Sequence, residues 1–295
     1  MRPMVALIKR ELLEHRAAFL YAPAILLFVL TLVVLMGLFN RAPEFDKADV
    51  SMSGMVLVYQ LALTGAFGGW SIYTGLGLFF YYADAFSADR RNNALLFWKS
   101  MPQSDLKVLT SKALAGITIF PALILGYAFL TGVIIYVLGL IASLRFPVIT
   151  PPNFGESLLT LVQMSIVGIV YIVLAILWSA PFLAWVAGLS TLFRRWSIPL
   201  SILIPGAIVF LEFLNTLGQR DATRPISDFL AWRFDTFIDE RAVFGSLIGD
   251  QAGGPWRMLE VILQSVNWVH MGIGIIVAIV IVVLASEYRR RRIEA

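Results

Sequence analysis

The residues Ala83–Lys112, ADAFSADRRNNALLFWKSMPQSDLKVLTSK, decide how this chain is organised, because they place a charged segment between two long apolar runs. The run before them, from Val50 to Ala83, and the run after them, from Ala113 to Leu144, contain no Asp, Glu, Lys or Arg. Uncharged runs of this length are typical of membrane-spanning helices. The charged segment, residues 84–112, is therefore predicted to be a loop between two spans.

The composition predicts an all-α membrane protein. Of the 295 residues, 59% are hydrophobic and only 14% are charged, and the mean hydropathy is +0.82. Soluble globular proteins carry about 25% charged residues. Apolar runs fill most of the chain and leave no room for a soluble catalytic domain. The chain has no cysteine, which excludes disulfides and thiolate metal sites.

Uncharged or nearly uncharged segments predict six transmembrane helices, since about 20 apolar residues cross a hydrocarbon core of about 30 Å. The segment 157–193 is long enough for two short helices, but we expect one helix kinked at Pro181. Residues 17–295 then form one six-helix transmembrane domain, with spans at about 17–40, 54–83, 106–143, 157–193, 197–217 and 261–286.

Residues 1–16 are predicted to form an amphipathic helix before the first span. Val5, Ile8 and Leu12 share one helical face, and charged residues occupy the others. This pattern is typical of a helix that lies in the membrane interface. A solvated helical leader is the alternative interpretation.

Residues 218–260 form the longest connection and mix charged residues with many aromatic ones. Aromatic rings favour the headgroup level of a membrane, so we expect short helices at an interface before the last span. Gly253, Gly254 and Pro255 indicate a break followed by a helix start.

The distribution of Lys and Arg predicts the orientation of the chain. With the amino terminus inside, the inner segments carry more of these residues than the outer ones. Cytoplasmic loops carry such an excess. Both termini and loop 84–112 are therefore predicted to be cytoplasmic, and loop 218–260 external. The expected location is the plasma membrane, as a multi-pass protein of a bacterial or archaeal inner membrane.

The chain carries none of the common catalytic motifs. It has no G-x-x-x-x-G-K-[ST] phosphate loop, no HExxH and no G-x-S-x-G. We therefore expect no catalytic residue, no metal site and no cofactor in this chain. His15 and His270 are far apart in sequence, and His270 is interpreted as a hydrogen-bonded packing residue.

Three polar residues are candidates for a translocation path. Gln60 and Thr64 belong to a span rich in small and mildly polar residues, a composition that ordinary helix packing explains equally well. Glu212 is the one acid well inside an apolar run, where a charge is expensive unless it is paired or wet. Its alternative interpretation is an interfacial residue whose carboxylate reaches the membrane surface.

Loop 84–112 is predicted to contain a short helix. Asn92 or Asn93 can cap its start, and Pro102 cannot continue it. Ser104 or Asp105 can cap the next span. A bunched apolar group with bases on both sides indicates an interaction surface, with a membrane-surface anchor as the alternative. Its residues are Arg90, Arg91, Asn92, Asn93, Leu95, Leu96, Phe97, Trp98, Lys99 and Ser100.

With the leader IKRELLEHR, six spans, this loop and a large loop before the last span, the chain resembles the permease subunits of type-2 ABC exporters. The resemblance covers essentially the whole chain, and in the loop it depends on Leu95, Leu96, Ser100, Pro102, Ser104 and Lys112.

The resemblance implies that the loop is a coupling helix that docks in a cleft of a separate ATP-binding cassette subunit, which binds ATP and Mg²⁺. It also implies a second permease copy, as a homodimer or heterodimer, and an interfacial or re-entrant hairpin before the last span. Membrane lipid is the other expected partner, and no nucleic acid is expected. A secondary transporter driven by an ion gradient is the alternative function.

Overall fold

The computed structural model describes residues 2–40, 52–86, 104–146, 149–193, 196–217, 223–234, 238, 240–247 and 253–294, and within these it contains helices and no strand. A π-helical turn, Ala17–Tyr21, joins the first two helices. The helices are α1 (Arg2–Glu14), α2 (Ala22–Asn40), α3 (Met52–Ala85), α4 (Asp105–Ile117), α5 (Ile119–Arg145), α6 (Phe154–Phe193), α7 (Ser197–Asn215), α8 (Pro225–Phe234), α9 (Glu240–Gly245), α10 (Gly254–Ser265) and α11 (Trp268–Glu294).

The prediction of six spans is confirmed for the described residues. Six helical segments are long and apolar enough to cross a membrane. This architecture indicates a multi-pass membrane protein. The segments are Ala17–Asn40, Met55–Ala85, Leu106–Arg145, Phe154–Phe193, Ser197–Asn215 and Trp268–Arg291.

Helix α6 lies at the centre of the bundle and packs against α3, α5, α7, α10 and α11. Close approach at this centre depends on small residues. A Cβ atom at Gly168 of α6 would lie 2.6 Å from Cε1 of Phe67 on α3. Likewise, a Cβ atom at Gly132 of α5 would lie 2.9 Å from Cδ2 of Leu63.

Helix α6 runs without interruption through Pro181, as the sequence predicted. Proline has no N–H group, so the carbonyl of Leu177 loses its helical donor at this point. The third span differs from its prediction as a single helix over 106–143. It divides at Thr118, whose φ of −120° and ψ of −69° are not helical. Pro121 explains the division, because it cannot donate to the carbonyl of Ile117.

The sixth span begins at Trp268 rather than at 261. Residues 261–265 belong to the separate helix α10, and Val266 is extended with ψ of 124°. The Asn267 side chain then caps α11, because its Oδ1 accepts the backbone N–H of His270 at 3.2 Å. The break lies inside an apolar run, which is why counting charged residues missed it. The predicted break and helix start near Gly253 are confirmed, with Gly254 at a φ of +68°.

The structure contains helices in the leader and in the segment before the last span, whereas their positions at a membrane surface stay predictions. The predicted helix of loop 84–112 lies outside the described residues. The leader forms α1, and the segment 218–260 contains α8, α9 and the start of α10. Leu7 and Glu11 of α1 are buried against the bundle, and Val5 is 64% exposed. Ile8 and Leu12 also pack against the core of the bundle, so the leader docks through most of its predicted apolar face and leaves Val5 outside the contact.

Candidate functional site

The predicted coupling residues, Arg90 to Ser100, lie outside the described residues. The structure does describe the two helices on either side of them, α3 and α4. The end of α3 and the start of α4 lie at the same end of the bundle. Ser104 caps α4 as predicted, because its Oγ accepts the N–H of Lys107 at 3.4 Å. We call the end of the bundle at which α3 ends and α4 begins the loop end.

The leader is fixed to the loop end by a buried ion pair. Nζ of Lys112 on α4 lies 3.0 Å from Oε1 of Glu11 on α1, and the two side chains are 1% and 3% exposed. Helix α1 packs along α4 around this pair. Any displacement of α4 must therefore carry the leader with it or separate two buried charges.

Tyr81 and Tyr82 connect the end of α3 to the same place. The Tyr81 hydroxyl lies 3.2 Å from Oε2 of Glu11 and 2.9 Å from the carbonyl oxygen of Lys112, and it can donate its proton to either. The Tyr82 hydroxyl donates to the carbonyl of Ala113 at 2.7 Å. The two helices that flank the loop are thus bonded to each other and to the leader.

His15 completes this group, and we call Glu11, His15, Tyr81 and Lys112 the loop-end cluster. Its ring meets the Tyr81 ring edge-on at 4.9 Å. Burial lowers the pKa of His15 below its usual value, and nearby Glu11 opposes this effect. We conclude that His15 is neutral at pH 7. Its 3.9 Å approach to Oε2 of Glu11 is then a polar contact and not an ion pair.

The loop-end cluster can act as a rigid joint. Removing one partner of a buried ion pair leaves an uncompensated charge and costs about 3–5 kcal/mol, whereas an exposed pair contributes about 1 kcal/mol or less. The arrangement therefore resists separation of α1, α3 and α4. The cluster contains no nucleophile paired with a base, so we assign it a role in positioning the helices and not in catalysis.

The residues predicted for a translocation path, Gln60, Thr64 and Glu212, form hydrogen bonds with backbone groups or provide the backbone acceptor. The Thr64 hydroxyl donates to the carbonyl of Gln60 at 2.8 Å, within α3. The Glu212 carboxylate accepts the backbone N–H groups of Ile226 at 2.9 Å and Ser227 at 2.7 Å. These bonds cap the start of α8 and give Glu212 a structural role. A place on a translocation path stays a prediction for all three.

His270 lies at an exposed position on α11, and its ring meets the Trp232 ring edge-on at 4.8 Å. This contact agrees with a packing role. The described part of the chain contains no group of three or more His, Cys, Asp or Glu side chains that could hold a metal ion.

Arg233 is a buried residue that the sequence interpretation missed. It is 5% exposed, and Nη2 donates to the carbonyl of Trp178 at 2.8 Å. Its guanidinium carbon lies 3.8 Å from the centre of the Trp178 ring, and Trp178 Nε1 donates to the Arg233 carbonyl at 3.1 Å. The only sequence signal is local, a base between Trp232 and Phe234 in an aromatic-rich segment.

The comparisons with known proteins add no relative, since the chain matches no family model, no curated protein and no solved structure.

Proposed function

We propose that this chain is the permease subunit of an ATP-driven ABC transporter of the exporter type. It contributes the membrane path, and a separate ATP-binding cassette subunit binds and hydrolyses ATP with Mg²⁺. The observation that carries the proposal is the loop-end cluster. It joins the leader, the end of α3 and the start of α4 around the loop whose sequence resembles a coupling helix.

In the proposed mechanism the partner moves the loop, and the loop moves the spans. ATP binding supplies the free energy, because the partner closes around nucleotide and so favours one arrangement of the loops. The buried Glu11–Lys112 pair makes α1 follow α4, and the Tyr81 hydroxyl makes α3 follow both. Work done on the loop would then reach two spans together.

A second copy of the permease, or a related chain, belongs to this proposal. Two spans have few buried residues: 11% of the apolar window in Ala17–Asn40 and 11% in Ser197–Asn215 are buried, against 39% in Phe154–Phe193. Lipid or another permease would cover these faces. The homodimer and the heterodimer are both compatible with them.

The proposed orientation has the loop end in the cytoplasm. Lysine and arginine residues of α1, α4 and the last turns of α11 are found here, among them Lys9, Lys107 and Arg290. Such an excess favours the cytoplasmic side.

Copurification tests the proposal. The Trp98→Asp variant, expressed with its native ATP-binding subunit, should retain at least roughly tenfold less partner, because a central aromatic contact is worth about 2 kcal/mol or more. The matched control is Trp256→Asp, which changes an exposed Trp of α10. The proposal fails if Trp98→Asp retains the ATP-binding subunit as wild type does while both variants remain monodisperse.

A second candidate function is a carrier driven by an ion gradient, and the buried Glu11 and Lys112 beside the partly buried His15 favour it. Ionisable residues buried near spans are typical of proton relays. Transport in vesicles separates the two: ATP with its subunit must drive the permease, whereas an imposed proton gradient must drive the carrier without ATP.

A further inference from the structure

Arg233 has a buried hydrogen-bonding group that no described residue contacts with a hydrogen bond. Its Nη1 is buried and has no hydrogen-bond partner among the described residues, although the side chain is 5% exposed. A guanidinium has five N–H donors in a fixed fork that matches the two oxygens of a carboxylate or phosphate. Among the described residues, Nη2 has a hydrogen-bond acceptor and Nη1 has none.

The contacts that the structure describes around the guanidinium are neutral. They are the Trp178 ring and carbonyl and the backbone of Gly274. A Cβ atom at position 274 would lie 2.5 Å from Nη2 and 3.3 Å from Cγ of Pro181, so an alanine there would force the guanidinium to shift. Neutral contacts stabilise a buried cation incompletely, and an anion would complete its surroundings.

Aromatic rings connect this position to the surface of the bundle. The Trp232 ring packs edge-on against Trp178 at 5.4 Å and against His270 at 4.8 Å, and Trp232 is 39% exposed. Trp rings favour the level of lipid headgroups. An amphiphile that approaches along Trp232 would bring its headgroup to the guanidinium and leave its acyl chains in the bilayer.

We propose that Arg233 binds the phosphate headgroup of an anionic membrane lipid. Nη2 would leave the Trp178 carbonyl, and Nη1 and Nη2 would then donate bidentate hydrogen bonds to two phosphate oxygens. Trp178 and Trp232 would line the approach. This inference does not depend on the assignment as an ABC permease.

The thermal stability of the full chain in mixed micelles tests the proposal. Phosphatidylglycerol should raise the Tm by about 3 °C relative to phosphatidylcholine, the order that a roughly tenfold excess of ligand over Kd gives. The Arg233→Gln variant should lose this difference. Arg257→Gln, which removes a 43% exposed arginine bound to Glu260, should keep it.

Two further arms keep the test decisive. Gly274→Ala retains the charge but displaces the guanidinium, and it should also lose the response to phosphatidylglycerol, which covers the case in which Arg233→Gln does not fold. Inorganic phosphate should give no shift. The proposal is overturned if wild type does not distinguish the two lipids, if Arg233→Gln or Gly274→Ala still does, or if inorganic phosphate alone reproduces the shift.

Discussion

Glu11 and Lys112 bring opposite charges to a buried place, where each stabilises the other. The pair adds to the apolar contacts that Leu7, Ile8 and Leu12 of the leader make with the bundle. The ion pair sets the position of α1 on α4, and the Tyr81 hydroxyl extends that constraint to α3. The ion pair and the tyrosine hydroxyls thus join three helices beside the loop.

Neutralising Glu11 should destabilise the protein strongly. Glu11→Gln leaves the Lys112 ammonium buried without its carboxylate, so the free energy of unfolding should fall by about 3–5 kcal/mol. Adding Lys112→Met should restore part of the loss, because the two sites are in contact. Chemical unfolding in detergent, followed by tryptophan fluorescence, measures both.

Glu14→Gln is the matched control for this prediction. Oε2 of Glu14 lies 3.7 Å from Nη2 of Arg10 on the same helix, with side chains 29% and 37% exposed. Its neutralisation should cost less than about 1 kcal/mol. Equal losses from Glu11→Gln and Glu14→Gln would show that burial of the pair does not matter.

The contacts among the residues of the loop-end cluster could not be predicted from the sequence. Local rules found the Ser104 cap, because a cap and the N–H it accepts are three residues apart. Glu11, in contrast, falls among other charged residues of the leader, and its burial depends on Lys112, far along the chain. Such a pair is decided by tertiary packing, which a helical periodicity does not contain.

At the level of elements, α8 depends on a residue of the preceding span. The carboxylate of Glu212 accepts two N–H groups at the start of α8, where a helix has unsatisfied donors and a partial positive charge.

We predict that Glu212→Ala loosens α8 without unfolding the bundle. Hydrogen exchange of residues 225–234 should accelerate, whereas exchange in the centre of α6 should not change. Glu260→Ala, at an exposed position of α10, is the comparison. Unchanged exchange in α8 would mean that the Glu212 cap does not stabilise this helix. The interpretation of Glu212 as a translocation-path residue would then be favoured.

The contact of α3 with α6 depends on the absence of a side chain at position 168. Gly168→Ala places a methyl group 2.6 Å from Cε1 of Phe67, and overpacking of this kind costs about 1–3 kcal/mol.

The Tm of Gly168→Ala should therefore fall. Gly126→Ala on α5 should have an unchanged or higher Tm, because its methyl group meets nothing within 4 Å and alanine favours a helix. The same Tm for both variants would contradict the close approach of α3 and α6.

The boundaries of elements were predictable where charged residues marked them, whereas proline was not a reliable guide. Apolar length determined the number of spans, and Pro181 was correctly assigned to one long helix. The divisions at Thr118 and Val266 were missed because both lie in apolar surroundings. One follows from the missing donor of Pro121 and the other from the cap at Asn267, and neither changes the local hydropathy.

For the molecule as a whole, composition determined the class, and the structure adds an asymmetry between its two ends. One end holds the buried loop-end cluster and the ends of the loop. The other holds α8 and α10, with Arg233 between Trp178 and Gly274. We interpret the first end as the receiver of motion from a partner and the second as a lipid-binding region.

The most direct test of the central claim is maleimide labelling of a single cysteine in the Ser100→Cys variant, which keeps Trp98, since the natural chain contains no cysteine. The account predicts that a membrane-impermeant maleimide labels position 100 only after the cells are permeabilised, and that the bound ATP-binding subunit protects it. Labelling in intact cells, or labelling that the ATP-binding subunit does not change, would contradict the account.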